Sequence, residues 1–526
     1  MSNGDQIIVA WEVKDKENPY NWSRGKKLSI LLIGVLVVLN STLGSSLPVG
    51  IASQLPQVFG LSASNTAELT LPITTYLLGY VLAPLVFGPI SEQYGRRPLM
   101  IWAFWCYIFF TMACALAPNF AAFCVFRLLT GISASAPIVV CGGLFADIYD
   151  HPTSRGRAMA TMMASTAIGP TGVATIVSGF LGPINWRLPF WTAMAIAGAT
   201  MPALLLFMPE TYGPVLLQKR ARKLRAQKTG KKYISPLELE TGDWRDLATR
   251  VLTRPVVMFF TEKMVLFTCI YCALVYAIFY LYFDAYPIIF QQMYGLSTEL
   301  SSLTFLAISV GSLLSFPIFL TYDMYLSRAQ KRNEEWTKRY EARRLPLAFI
   351  GGPFISISIF WLSWTSFPHI SPLVPAFSGI LYGIGFVLIF MSLLNYLTDA
   401  YEIYSASALA ATSTTRSIVG AVLPLAAGKM YKTLGIQWAT SLLGFLSVIC
   451  IIIPFGFWIW GERLRSGSKF AGEVKRKREA EEERRARRGV GDDPIIPQPI
   501  AAAAAAAATA LKEHTDIEQR AGLAIT

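Results

Sequence analysis

The chain has 526 residues, of which 53% are hydrophobic, 13% aromatic and 15% charged, with a mean hydropathy of +0.45. So few charges cannot coat the soluble domains that a chain of this length would otherwise form, which excludes most soluble enzymes and all disordered scaffolds and makes lipid the solvent for much of it. The net charge of +13 comes from basic residues lying between apolar runs, a pattern that reads as topogenic loops rather than a nucleic-acid surface.

Residues 1–27 are polar, and the first apolar run starts at Leu28. That run exceeds the core of a cleavable signal peptide, so it reads as an anchor that stays. A crossing needs about 20 largely apolar residues. Twelve runs qualify: 28–50, 68–90, 98–117, 120–147, 157–181 and 188–208, then 264–287, 299–322, 346–365, 372–397, 404–428 and 438–461. The expected organisation is a cytoplasmic segment 1–27, a six-helix bundle 28–208, a cytoplasmic linker 209–263, a second bundle 264–461 and a largely disordered cytoplasmic tail 462–526. The fold class is therefore all-α: a membrane protein of twelve transmembrane helices in two six-helix bundles.

Forty of the 46 Lys and Arg residues fall in the N-terminus, alternate loops, linker and tail, whereas the opposite loops hold Arg187, Lys429 and Lys432. The positive-inside rule then puts both termini in the cytoplasm. The loop after span ten departs from the pattern, with Asp399 and Glu402 and no cation. The sequons at Asn21 and Asn40 are expected to be cytoplasmic and intramembrane, and hence unmodified. All seven cysteines lie in apolar runs, so no disulfide framework is expected, and Cys269 and Cys272 read as helix packing. His151, His369 and His514 are scattered and form no metal site.

The turn between spans two and three reads Gly88-Pro89-Ile90-Ser91-Glu92-Gln93-Tyr94-Gly95-Arg96-Arg97-Pro98. Its glycines permit a tight turn and close helix approach, and its cations can bridge to carboxylates on neighbouring helices. This run resembles the loop signature of the major facilitator superfamily, with Glu92 where Asp is usual. Arg127-Leu128-Leu129-Thr130-Gly131 in span four is similar to that family's R-x-x-x-G signature, which implies a role for Arg127 in proton coupling. The resemblance further implies an inner charge network of Glu92, Arg96, Asp147 and Arg155 that clamps one state, with Gly88, Ser91, Gly95 and Arg97 shaping the turn. Span five keeps Gly169-Pro170 of the drug:proton antiporter motif but has Val173 and Ala174 where paired glycines are usual.

The linker stretch 213–254 is basic, and either short interfacial helices or a solvated tether would suit it. Pro209-Glu210-Thr211-Tyr212-Gly213-Pro214, Asn395-Tyr396-Leu397 with Asp399-Ala400-Tyr401, and Asn18-Pro19 with Asn21-Trp22 extend the resemblance to the fungal twelve-helix drug:proton antiporters, over residues 18 to about 471. In span seven, Asp284 suits a proton carrier or a contact for a cationic substrate, and it is expected to share a polar network with Arg127. The resemblance implies that spans one, four, seven and ten line the cavity. Their polar and aromatic residues include Asn40, Ser41, Ser133, Ser135, Tyr276, Tyr280, Tyr382, Met391 and Asn395. Aromatic and Met walls favour bulky or planar solutes.

No G-x-x-x-x-G-K-[ST] phosphate loop is present, so the energy is expected from a gradient. The expected function is export of bulky organic compounds (drugs, toxins or a fungal secondary metabolite) by proton antiport and alternating access. Uptake of a small nutrient is the alternative; after span twelve, Gly461-Glu462-Arg463 stands in place of the sugar-porter signature P-E-T-K-G. A non-transporting membrane sensor is the reading from another class. The expected partners are a small-molecule substrate, protons and lipid, with no cofactor, metal or nucleic acid, and the protein is expected to be a plasma-membrane monomer and not an enzyme.

Overall fold

Long apolar runs in lipid must pair their backbone groups internally, and helix is the solution open to a single segment. The computed structural model describes residues 6–12, 14–62, 66–227, 232–239, 244–473 and 476, and all twelve apolar runs are helical in it. In the first half these are α1 (Arg24–Ser46), α2 (Thr66–Tyr94), α3 (Arg96–Ala115), α4 (Phe120–Ile148), α5 (Pro152–Ile168) and α6 (Leu188–Phe207). Helix α5 continues through a π-turn at Gly169–Ala174 into Thr175–Leu181. In the second half they are α7 (Lys263–Tyr286), α8 (Leu306–Lys331), α9 (Pro346–Thr365), α10 (Leu373–Tyr401), α11 (Ser405–Val422) and α12 (Ala427–Ser466).

By length and composition alone, ten segments can cross a membrane, or eleven when the two arms of α2 are joined across their 48° bend. Pro84 lies between those arms and accounts for the bend. One of the ten, Ser405–Ser466, has 62 residues. At 1.5 Å per residue that is roughly three times the hydrocarbon thickness. It divides into α11 and α12 at the 3-10 turn Leu423–Ala426.

Successive helices alternate in direction. The N-terminus, the α2–α3 turn, the linker and the α8–α9 connection therefore share one end, the basic end. Each half is held by a crossing of two long helices at reciprocal glycines. A Cβ on Gly79 of α2 would stand 2.8 Å from the Leu128 carbonyl oxygen of α4, and one on Gly131 would stand 2.9 Å from the Tyr76 carbonyl carbon. In the second half, Gly311 of α8 faces the Ile380 carbonyl carbon at 2.8 Å, and Gly383 of α10 faces the Ser312 nitrogen at 2.7 Å. Close backbone approach of this kind is how membrane helices gain packing where water exclusion contributes little. The α2–α4 and α8–α10 crossings make the two halves structural repeats. The halves meet chiefly through α2 against α11 and α5 against α8.

The linker holds the helices Gly213–Ala226 and Trp244–Thr261. Strand β1 (Gln6–Ile8) pairs in parallel with β2 (Lys232–Ile234). Val9, Leu217 and Ala221 bury a small apolar cluster beside it, and Arg220 pairs with Asp15. The segment from Gln6 to Val9, and Asp15, are thus tied to the linker. Lys228 and Lys231 of the linker, and the tail from residue 477 with its alanine run, lie outside the described residues.

Candidate functional site

The α2–α3 turn closes around Arg96. Gly95 adopts φ +101°, which a side chain would strain, and a Cβ there would stand 2.8 Å from the Glu210 carboxyl carbon. Glu210, which follows α6, accepts hydrogen bonds from the backbone N–H groups of Arg96 (2.9 Å) and Arg97 (3.3 Å), so a carboxylate caps the N-terminus of α3. The Arg96 guanidinium pairs with Asp147 at 3.1 Å, donates to Ser91 Oγ at 2.5 Å and stacks 4.8 Å from the Tyr212 ring. Ser91 Oγ in turn donates to the Gly88 carbonyl. Gly143 leaves room for the guanidinium, whose Cζ would otherwise stand 2.7 Å from a side-chain Cβ. Glu92 adds negative charge nearby. Arg97 turns away to the Leu205 carbonyl at 2.8 Å. Of the expected network, Arg96 and Asp147 form the ion pair, and Arg155 joins none among the described residues. Glu210 enters the sequence reading only as part of a family motif. Its chemical signal is an acid placed immediately after an apolar span, at the same end of the bundle as the turn four spans earlier.

The second half repeats the arrangement. Arg344, before α9, pairs with Asp399 of α10 at 2.7 and 3.3 Å. Arg465, at the end of α12, pairs with Glu341, which also accepts from Tyr396 Oη at 3.1 Å. The missing cation beside Asp399 is thereby explained: its partner comes from the α8–α9 connection. At the same end Arg157 of α5 pairs with Asp323 of α8 at 2.9 Å, across the two halves.

Arg127 is fully buried near the far end of α4. Its guanidinium donates to three backbone carbonyls, Pro72 (2.9 Å), Gly44 (2.7 Å) and Ser45 (3.0 Å), and stacks 4.4 Å from Tyr76. It therefore ties α1, α2 and α4 together. The network expected between Arg127 and Asp284 is not a direct one. Asp284 instead accepts from Thr70 Oγ1 of α2 at 3.0 Å, and its other carboxyl oxygen is buried without a hydrogen-bond partner. One turn earlier on α7, Tyr280 donates to Ser45 Oγ of α1 at 3.1 Å. Both contacts join the two halves at the end away from the termini, where Thr74 also donates to the Ala421 carbonyl at 3.0 Å.

The residues expected in the cavity divide into two groups. Asn40 turns to Thr200 of α6 and the Leu36 carbonyl, because a buried amide in an apolar span takes the nearest partners. Ser41 binds the Ala134 carbonyl and lies under the hydroxyls of Tyr76 and Tyr80. Ser133 and Ser135 bond back to their own helix. Tyr382 donates to the Val275 carbonyl at 2.6 Å and is wholly enclosed, and Met391 is buried with it. Of these six, Asn40, Ser41 and Tyr382 tie helices together, whereas Ser133 and Ser135 are satisfied within α4 and Met391 is packed in the core. Tyr276 and Tyr280, with rings 5.0 Å apart, stand where the halves meet, and Asn395 is half-buried.

Arg416 of α11 is the residue that motif matching misses, although the rule that singles out Arg127, a cation inside a span, applies to it equally. Its guanidinium lies 5.0 Å from the Tyr276 ring and 5.5 Å from the Phe390 ring, and its Nε is buried with no acceptor. No carboxylate among the described residues pairs with it. Two ring contacts stabilise such a cation by about 0.5–2 kcal/mol each. An unpaired charge at mid-membrane costs at least about 2.5–3.5 kcal/mol.

The chain matches the Major Facilitator Superfamily over residues 30–424. It belongs to that superfamily. It is 37% identical over 463 residues to the efflux pump FUB11 of Gibberella moniliformis, covering 88% of this chain and 77% of the relative. It is 33% identical over 471 residues to the multidrug transporter mdrA of Aspergillus fumigatus, covering 89% and 76%. The proton:xylose symporter XylE, bound to 6-bromo-6-deoxy-D-glucose, superposes with a TM-score of 0.60 at 17% identity, over 84% of this chain and 96% of that one. That last likeness concerns the fold alone. The family is one of membrane transporters rather than enzymes, and its members fold as this chain does.

Proposed function

We propose that this superfamily member exports bulky organic compounds, drugs or a secondary metabolite, by proton antiport. The observation that carries the reading is the pair of contacts joining the two repeat halves at the far end, Thr70 to Asp284 and Ser45 to Tyr280. Rocking the halves apart at that end breaks both and opens Asp284 to the outside. A carboxyl with one oxygen on a hydroxyl and the other without a partner can then exchange a proton as solvent access alternates. Arg127, locked to three carbonyls, acts as the hinge pin of the first half rather than as a proton donor. The Arg96–Asp147 and Arg344–Asp399 pairs stiffen the basic ends of the halves as they move. The efflux-pump name of FUB11 supports the outward direction, and the multidrug-transporter name of mdrA supports drug-like cargo.

In this reading both termini and the linker are cytoplasmic, the chain acts as a monomer in the plasma membrane, and Tyr276, Tyr280 and Asn395 face the substrate. The test is efflux of a fluorescent dye from cells or loaded vesicles, with and without a proton gradient. Wild type should extrude dye only while the gradient lasts. Asp284→Asn should keep the Thr70 contact and lose at least tenfold of gradient-driven efflux, with exchange no longer responding to pH. Efflux from the Asn variant that still tracks the gradient would remove Asp284 from the mechanism.

A further inference from the structure

The two intramembrane arginines are held in opposite ways. Arg127 spends its donors on three backbone carbonyls. Arg416, in the middle turns of α11, forms no hydrogen bond or ion pair among the described residues, and its Nε is buried without an acceptor. The residue is half-buried, so its guanidinium is not wholly enclosed by protein, and α11 is one of the helices through which the halves meet. Its level is fixed by its neighbours: Thr414, two residues earlier, bonds the Val81 carbonyl of α2 at 3.4 Å, and the rings beside it belong to the middle of α7 and α10.

We propose that Arg416 anchors a carboxylate of the transported compound, with the Tyr276 and Phe390 rings receiving its planar apolar body. The inference rests on the export reading above and adds the substrate class. An intramembrane cation without a partner marks a substrate path. The planar guanidinium fork matches a carboxylate in two parallel hydrogen bonds. The other arginine inside the first-half spans is committed to backbone, so the pocket offers one free cation among the described residues, which suits a monoanion rather than a phosphate dianion. Gly420 sets the wall. A Cβ there would stand 2.8 Å from Tyr276 Cδ1, so glycine lets the ring lie against α11 one turn from Arg416. The same ring packs 5.0 Å from Tyr280, which bonds Ser45 of the other half. A substrate seated on Arg416 would thus press on a contact that must break for the far end to open.

Equilibrium binding to the full-length protein in lipid nanodiscs tests this without a gradient, using 2-naphthoate, neutral 2-naphthamide and cationic 2-naphthylmethylammonium. Wild type should bind the carboxylate at least tenfold more tightly than either of the others. Arg416→Gln should remove that preference, weakening naphthoate at least tenfold and the amide less than threefold. Arg416→Lys, which keeps the charge and loses the fork, should fall between. Naphthoate binding unchanged in Arg416→Gln, a wild-type preference for the amide or the ammonium, or no wild-type naphthoate binding would each overturn the proposal. Should Arg416→Gln fail to fold, the wild-type ranking and the Lys variant still decide. Failure of the export reading is a separate result: naphthoate binds through Arg416 but does not leave loaded vesicles under a proton gradient.

Discussion

At the scale of single residues, polar groups in this membrane protein do two different jobs, and hydrogen bonding taken together with charge separates them. Ser41, Tyr382 and Arg127 have their donors taken by neighbouring helices and act as struts, and so does Asn40, whose Oδ1 alone is buried without a partner. Asp284 and Arg416 are charged groups inside apolar spans that each keep an atom without a partner, and these are the residues assigned to protons and substrate. Glu210 belongs to the struts. Its carboxylate meets the N–H groups of Arg96, Arg97, Thr211 and Tyr212, and only its charge complements the positive end of α3. Glu210→Gln can keep the acceptor oxygen but loses the charge, which should cost about 1–2 kcal/mol. A lowered thermal midpoint in detergent, with substrate affinity intact, is the expected result.

At the scale of elements, the reciprocal glycines fix how closely long helices cross. Gly383→Ala places a methyl 2.7 Å from the Ser312 nitrogen, so α8 and α10 must separate. Overpacking of this sort costs about 1–3 kcal/mol. The equivalent change at Gly131, 2.9 Å from the Tyr76 carbonyl carbon, should do the same in the first half. Thermal unfolding of the two variants should show comparable losses, as the repeat relation requires. Outside the membrane, the N-terminal strap has its own pH dependence. The Glu17 backbone N–H and the Arg220 guanidinium hold the Asp15 carboxyl below the usual Asp range. The native value is depressed, so this contribution is complete above the unfolded-state pKa and is lost as pH falls through the native one. Protection factors across Gln6–Ile8, taken against the intrinsic exchange rate at each pH, should therefore fall as the solution is acidified below the ordinary Asp range.

At the scale of the whole molecule, the described contacts link the halves at both ends. Thr70–Asp284, Ser45–Tyr280 and Thr74–Ala421 lie at the far end, and Arg157–Asp323 lies at the basic end. Each state of an alternating-access cycle must break one set. Arg157 is about half exposed, so its pair is worth no more than about 1 kcal/mol. A contribution that small can still shift populations several-fold. Asp323→Arg should open the basic end, raising the labelling of cysteines introduced there several-fold. The double exchange Arg157→Asp with Asp323→Arg should restore wild-type labelling.

The sequence by itself determined the solvent, the helical class, the repeat of two apolar halves and the turn that holds Arg96, because these depend on composition, run length and local spacing. Residue order also exposed Arg127 and Asp284, since a charge inside an apolar run is visible without coordinates. Tertiary structure alone decided what those residues touch. Helix periodicity does not say which neighbour a buried donor will meet, so Asn40 turned to α6 and Arg127 to carbonyls on α1 and α2. It likewise took the fold to bring Glu210 to a turn more than a hundred residues earlier, to give Asp399 its cation, and to leave Arg416 between two rings without one. Pairing across distant helices depends on how the bundle packs, and that is written in no single stretch of chain.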